Sequence, residues 1–327
     1  MFKRISILVG ALALAALAPM ALAVKPVTIK FSFVTTLNTP KGKAAQAFKE
    51  YVEKASGGAM KVELYPSSQL YKDNAEGLNA LIFNNIQLLV PSATKLKGYN
   101  PAFQFVDMPY LFRDNDHFKK FTQSDAAQKL LTSLEKAGLV GLGFWPNGFK
   151  HFTANKPLRR PADFKGLKFR TQTSGVLEAQ MKALGATAVP LAFSEVYQAL
   201  QQGVVDGQEN TLSNIYTQRY YEVQKYLSLT GHGRLDYVVI TNKIFLNSLD
   251  PEQKKIFMDG IAHANDVAFE EAVKLNADAL AKLSELMEVV KLSDEDRAAM
   301  EAAMKPVYDE YGPKVGWDLI NAIKALK

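Results

Sequence analysis

The sequence predicts an α/β protein built from two units, and three observations carry that reading. Strand-like and helix-like segments alternate from residue 27 onward, the alternation restarts after Trp145, and one apolar stripe continues for some 35 residues near the C-terminus, long enough to run along both units.

Val27 to Phe33 alternates as a half-buried strand does. Ala44, Ala47, Phe48, Tyr51 and Val52 then recur at helical spacing between Lys43 and Ala55, before Gly57-Gly58 ends the run. Residues 60–65 read as a second strand, 73–84 as a second helix and 86–90 as a third strand closed by Pro91, an order that implies parallel pairing. Asp116 is expected to cap a helix reaching about Ala137, Gly138 to stop it, and 139–144 to be a buried strand. The second unit has short strands at 149–153, 167–170 and 187–189, with helices at 175–184, 194–202 and 210–226. The β-branched strand 236–241 has no partner close in sequence, so it is expected to return to the first unit and make the units discontinuous. Asp250-Pro251 opens the long helix, an Asp cap with Pro in first position. Its stripe runs through Phe257, Ile261, Ala264, Ala268, Ala272, Leu275, Ala279, Leu283 and Leu286, and its alanine-rich contacts suit packing along two lobes of one chain. Two further amphipathic helices occupy 295–325 around Gly312-Pro313.

Met1 to Ala23 reads as an export leader: Lys3-Arg4, an apolar run from Ile5 to Ala18, then Ala21-Leu22-Ala23, with cleavage expected after Ala23. The run is too short, and interrupted by Pro19, for the ~20 apolar residues of a spanning helix. The expected location is therefore the periplasm.

The 327 residues are 48% hydrophobic and 22% charged, the balance of a folded globular chain. With no cysteine there is no disulfide framework, thiol nucleophile or sulfur-bound metal. Removing Lys3 and Arg4 with the leader leaves 37 basic against 33 acidic residues, without a dense basic run, which favours an anionic small ligand over nucleic acid or a membrane surface. Gly141-Leu-Gly143 has Pro146 where a dinucleotide loop needs its third glycine, and no phosphate loop or Gly-x-Ser-x-Gly occurs. His117, His151, His232 and His263 lack metal-ligand spacing. No catalytic residue, metal or cofactor is expected.

Six segments share the order and spacing of a known family. They are Asp107-Met-Pro-Tyr-Leu-Phe112, Phe144-Trp-Pro-Asn-Gly-Phe-Lys150, Phe164-Lys-Gly-Leu-Lys-Phe-Arg170, Ala192-Phe-Ser-Glu-Val-Tyr-Gln-Ala-Leu200, Gly203-Val-Val-Asp-Gly-Gln-Glu-Asn210 and Tyr221-Glu-Val-Gln-Lys225. Together they resemble the periplasmic solute receptors of tripartite ATP-independent periplasmic (TRAP) transporters. Gly148-Phe-Lys150 and Val176-Leu-Glu-Ala-Gln-Met181 look most like the receptors for four-carbon dicarboxylates such as succinate, fumarate and malate. The resemblance implies a two-lobed periplasmic-binding-protein (Venus-flytrap) fold with the long helix spanning both lobes. It places lobe I at 24–147 and 236–275 and lobe II at 148–235 and 276–327.

Arg170 ends a short strand, so its guanidinium should project at the sheet's carboxyl edge, where ligands of α/β folds bind. The resemblance makes it the principal carboxylate-binding residue, a planar fork matching two oxygens. It also implies Lys150 as the charge for a second carboxylate, the alternative being a solvated strand lysine, and Asn210 as an amide contact at a helix entrance, with Asn214 one turn later. From lobe I, Lys41, Ser92 and Thr94 are candidates to reach the cleft, and Phe193 is a candidate lid. The expected function is capture of a small organic acid anion by hinge closure and delivery to a TRAP membrane permease, by a monomer that binds no nucleic acid. Alternatives are the same fold binding a mono-, keto- or aromatic carboxylate, a receptor for an ATP-driven importer and, more remotely, a secreted lyase or glycosidase.

Overall fold

The computed structural model describes residues 26–72 and 74–327, so the leader expected over 1–23 and its cleavage point lie outside the described residues. Strand β1 (Val27–Ser32) leads into helix α1 (Pro40–Ala55), which begins three residues before the apolar periodicity suggests. The Thr39 hydroxyl accepts the Gly42 amide and Pro40 fills the first helical position. Strand β2 (Met60–Tyr65), helix α2 (Asn74–Ile82) and the short β3 (Leu88–Leu89) follow. The helix expected over 116–137 is broken into α3 (Asn115–Thr122), α4 (Asp125–Thr132) and a 3-10 turn (Ser133–Ala137). Asp114 rather than Asp116 makes the first cap, accepting the His117 amide at 2.7 Å, and Ser124 makes a new cap by accepting from Ala127.

Strand β4 (Leu139–Ala154) is one 16-residue strand where the sequence suggests two. Gly143 (φ +153°) and Gly148 (φ +122°) sit at register shifts against the neighbouring strand, so the backbone bends there without leaving the sheet. Next come α5 (Pro161–Phe164), β5 (Lys168–Thr171), α6 (Gly175–Ala183), β6 (Thr187–Pro190) and α7 (Val196–Gln201). The helix expected over 210–226 is replaced by β7 (Gly207–Thr211), α8 (Leu212–Thr217) and β8 (Tyr226–Leu229). Every residue of β7 is buried, and its polar side chains are held by hydrogen bonds and charge pairs rather than by apolar contact. Strand β9 (Arg234–Asn242) and α9 (Lys243–Ser248) precede α10 (Pro251–Leu286), whose Asp250 cap and Gln253 form a reciprocal box. Strand β10 (Glu288–Lys291), α11 (Asp294–Val315) and α12 (Trp317–Ala325) complete the chain. The last break falls at Gly316 (φ +99°), α11 having run on through Gly312-Pro313.

The strands form one continuous sheet in the order β2-β1-β3-β9-β4-β7-β5-β6, with β8 and β10 branching from the distal end of β4. Two parallel half-sheets, β2-β1-β3 and β7-β5-β6, are joined through antiparallel β9 and β4. β9 thus returns to the first half-sheet, with Leu89 opposite Ile240. The first half of α10 buries Phe257, Ile261, Ala264 and Ala268 in a core with α1 and β1, and its second half buries Ala279 and Leu283 with α7 and α8. One helix therefore braces both lobes of a two-lobed α/β fold, and no helix among the described residues is long and apolar enough to cross a membrane.

Candidate functional site

Parallel strands place the residues that follow them along one edge, and this chain uses that edge from both half-sheets. Val34 and Thr35 follow β1, Ser92 follows β3, Gln172 follows β5, and Leu191, Ala192 and Phe193 follow β6; all line one partly open cavity. Asn210 lies one residue from the end of β7, Asn214 opens towards it from α8, and Leu235 and Tyr237 come from the start of antiparallel β9, which lies at the same edge. The space left for ligand atoms is about 60 Å³. At ~10–15 Å³ per water-sized group that holds on the order of five such groups, the scale of a short-chain acid.

Arg170, one residue from the end of β5, is the only arginine in the cavity lining. Its Nε and Nη2 both donate to the Leu191 carbonyl, at 3.1 and 2.8 Å, which fixes the plane of the fork while leaving Nη1 without a partner among the described residues. The residue is 5% exposed, and no carboxylate of the described residues forms an ion pair with it. Burial pulls its pKa below the ordinary guanidinium value, with Glu209 and Glu195 opposing only from longer range.

Asn210 and Asn214 form an amide pair: Asn214 Nδ2 donates to Asn210 Oδ1 at 2.8 Å, and that oxygen also takes the Thr211 amide at 3.1 Å. Asn214 Oδ1 is buried without a partner, beside the phenol of Tyr237, which burial keeps protonated. Asn210 therefore sits in a strand and not at the helix entrance the sequence suggests, yet it still faces the cavity. Ser92 lines the cavity as well, but its hydroxyl donates to Gln172 Oε1 at 2.8 Å, a contact between residues 80 apart that joins the two sides of the cleft. Phe193, half-buried, lies where the lid was expected.

Three other expected residues are placed elsewhere. Thr94 is buried behind the wall, its hydroxyl 3.4 Å from Ser174 Oγ. Lys150 is also outside the lining: the β4–β7 register pairs Lys150 with Thr211 and His151 with Asn210, so Lys150 and Asn210 project from opposite faces of the sheet. There it is 1% exposed and flanked by Asp107 at 3.1 Å and Glu209 at 2.7 Å. These two carboxylates outweigh the effect of burial, which alone would lower the lysine's pKa, and hold it raised. Burial would likewise raise Glu209, but Lys150 and His232 hold it lowered and ionised. Glu209 and Lys150 form a close charge pair, and His232 Nε2, its pKa lowered by burial, lies 3.4 Å from the same carboxylate oxygen without a well-directed hydrogen bond.

Lys41 stands one layer behind the cavity wall. It is 1% exposed, its Nζ donates to the Val90 carbonyl at 2.9 Å, and it lies 3.4 Å from the centroid of the Tyr237 ring whose edge lines the cavity. No carboxylate of the described residues pairs with it, and burial lowers its pKa well below the ordinary lysine value. Among the described residues, four lysine and arginine side chains are thus deeply buried. Lys150 and Arg234 are matched by internal carboxylates, Arg234 through Asp236 at 2.8 and 3.0 Å, whereas Arg170 and Lys41 are not. No cluster of metal-binding side chains occurs among the described residues.

The sequence reading missed Gln172, Tyr237, Glu209, Lys95 and Lys72 in this lining. Gln172 had a signal, standing two residues beyond Arg170 in the same strand direction. Tyr237 had none, because its strand pairs with residues about a hundred positions away.

Comparison with known proteins places this geometry in context. The family described as bacterial extracellular solute-binding protein, family 7, matches residues 31–314. The chain is 47% identical over 322 residues to the C4-dicarboxylate-binding periplasmic protein DctP of Rhodobacter capsulatus, covering 97% of this chain and 96% of that protein. Among solved structures it is similar to a TRAP periplasmic solute-binding protein of Shewanella oneidensis with bound succinate, at a TM-score of 0.89 and 43% identity, over 92% of this chain and 99% of that one. A TRAP periplasmic solute-binding protein of Pseudomonas aeruginosa with bound L-malate matches at a TM-score of 0.84 and 40% identity, over 88% and 100% of the two chains.

Proposed function

The chain belongs to the bacterial extracellular solute-binding proteins of family 7, and from that premise we propose that it captures a four-carbon dicarboxylate between its lobes and hands it to a TRAP membrane permease. The family is one of transport receptors and not of enzymes, and relatives that carry succinate or malate share its fold.

The observation that carries the ligand class is the pair of buried basic groups without a counter-charge, Arg170 on the lobe II side and Lys41 on the lobe I side. Burying an unpaired charge costs several kcal/mol, so such groups persist where something else meets them. A dianion of four carbons brings one carboxylate for each. A pair of unit charges at 4 Å gains about 1 kcal/mol in water and about 4 at an effective dielectric near 20, so closure around the ligand strengthens both contacts. In this reading Arg170 Nη1, Asn210, Asn214, Gln172 and the Tyr237 phenol contact the acid, Phe193 covers it, and Lys150 neutralises Glu209, which shares the cavity lining.

The lobes divide near residues 147, 235 and 275, a division supported by the return of β9 to β3 and by the two cores that α10 joins. Export to the periplasm, with cleavage after Ala23, is supported by the leader's charged start, apolar run and small-residue ending.

Titration calorimetry against succinate, fumarate and L-malate, with butyrate, a keto acid, an aromatic acid and sialic acid as comparators, tests the reading. Micromolar or tighter binding confined to the dicarboxylates supports it. Equal binding of butyrate and succinate would remove the two-cation argument.

A further inference from the structure

The two unmatched cations are not chemically equivalent. A guanidinium stays protonated in a protein interior, whereas a buried lysine gives up its proton when nothing stabilises the charge. The surroundings of Lys41 supply little that does. Helix α1 has no acidic residue in its first turn, and Lys43, two positions on, is a like charge facing an outer groove. The end of β3 contributes only the Val90 carbonyl. Strand β9 contributes the Tyr237 ring, and its acid, Asp236, is held by both Nε and Nη2 of Arg234. The stretch of α10 against α1 is apolar, and its His263 meets α1 only at Tyr51. Beyond the ring, the cavity lining adds Arg170, Lys95 and Lys72 as like charges, and Glu209, which also lines it, is engaged with Lys150 and His232.

Building on the two-cation reading above, we propose that Lys41 is a neutral amine in the ligand-free receptor and becomes an ammonium when a ligand carboxylate occupies the Tyr237 side of the cavity, so that each bound dianion brings one solvent proton in with it. The step is simple: the amine lone pair takes a proton from the buffer, and the ammonium stands behind the Tyr237 ring, one layer from the added negative charge. The Val90 carbonyl and the ring, too weak to hold the charge alone, remain its direct partners, and the ligand's charge acts across the ring. The direction of the lysine's pKa shift agrees. The loaded receptor is thereby closer to charge-neutral inside than a pair of fixed cations would make it, and a monocarboxylate engaging Arg170 alone recruits no proton.

The test is titration of the full chain with succinate between pH 7 and 9, where the ligand is a dianion, in phosphate and in Tris, which differ in ionisation enthalpy. Expected are a binding enthalpy that changes with buffer by about one proton taken up per receptor, and an affinity falling about tenfold per pH unit. In Lys41→Met, which keeps the chain length and removes the titrating group, the buffer dependence disappears and succinate binds more weakly. Tight binding with no buffer dependence overturns the proposal and leaves the dicarboxylate reading standing. A buffer dependence unchanged in Lys41→Met also overturns it, by assigning the proton to another group. Absence of binding to any dicarboxylate removes the functional reading itself, and the proton coupling with it.

Discussion

Lys150 Nζ lies 2.7 Å from Glu209 Oε2 and 3.1 Å from Asp107 Oδ1, with all three side chains buried on the face of the sheet that turns away from Asn210. Asp107 is tied in turn to Ser174, whose hydroxyl donates to Oδ2 at 2.7 Å. This cation joins a segment before β4 to strand β7 and to the cap of α6. Replacing Lys150 by Met leaves two buried carboxylates without their cation, a loss that typically costs roughly 3–5 kcal/mol. The expected outcome is a large drop in the urea midpoint of the ligand-free protein. A Lys150→Met protein with wild-type stability and no succinate binding would return Lys150 to the ligand.

Arg170 should behave in the opposite way. Its charge is buried without a carboxylate partner, and it holds the Leu191 carbonyl through two N–H groups. Arg170→Met removes the desolvated charge and fills the same space with apolar atoms, which in buried sites is often neutral or stabilising. Two measurements on one variant check this: a melting temperature of the ligand-free protein equal to or above wild type, and succinate affinity reduced by more than about a hundredfold. Arg170→Lys should recover little, since an ammonium cannot present a fork to both carboxylate oxygens.

The fold was legible in sequence wherever burial followed a simple period. The apolar stripe of α10 and its Asp250-Pro251 start agree with the observed Pro251–Leu286 helix, and β1, β2 and α6 fall within a few residues of their expected places. Failures cluster where polar residues are buried or where a breaker is absorbed. Strand β7, Gly-Gln-Glu-Asn-Thr, has no apolar alternation to read, because its burial is balanced by Lys150 and Thr153 from a distant segment and by Asn214 in the helix that follows. The gap expected between strands 139–144 and 149–153 turned out to be a bend within the single strand β4. Of the candidate site, Arg170 and Ser92, which stand at strand ends in the cavity lining, were readable from α/β topology, whereas Asn210 came from the family resemblance and was expected at a helix entrance. That Lys150 is internally neutralised and Lys41 is not depends on which acids fold back onto them, and no local pattern encodes it.

The bends in β4 are themselves held from outside. Asn276 of α10 donates through Nδ2 to the Asn147 carbonyl at 2.7 Å and accepts the Ser213 amide at 3.0 Å, while Asn265, one helix segment earlier, accepts the Trp145 indole N–H at 2.7 Å. A methyl group at Gly148 would stand 3.0 Å from Asn276 Nδ2, at a φ of +122° that other residues rarely adopt. Gly148→Ala is therefore expected to lose about 1–3 kcal/mol of stability from the strained backbone alone, read as a lower urea midpoint. Asn276→Ala, which leaves the Asn147 carbonyl and Ser213 amide unmet, should lose a similar amount without backbone strain. Wild-type stability in Gly148→Ala would show that α10 does not fix the bend.

Acid should weaken the ligand-free protein through His151. Burial, with His232 as a like neighbour when charged, pushes the His151 pKa down from 6.5 to about 3. Its Nδ1 accepts the Gly231 amide at 3.2 Å, a contact that requires the neutral ring. The unfolded chain binds a proton at this histidine below about pH 6.5 while the native state does not until about pH 3, so the native state holds fewer protons throughout that interval. Stability is thus full above pH 6.5 and falls as the pH drops towards 3, by at most about 1.4 kcal/mol per pH unit from this group. His232, also lowered chiefly by burial, adds a loss of the same sign. Urea unfolding at pH 7, 6, 5 and 4 should show a shallower decline for His151→Leu than for wild type, the difference isolating the histidine from carboxylates that titrate in the same range. Parallel curves for the two proteins would mean that position 151 takes up its proton in the folded state as readily as in the unfolded one.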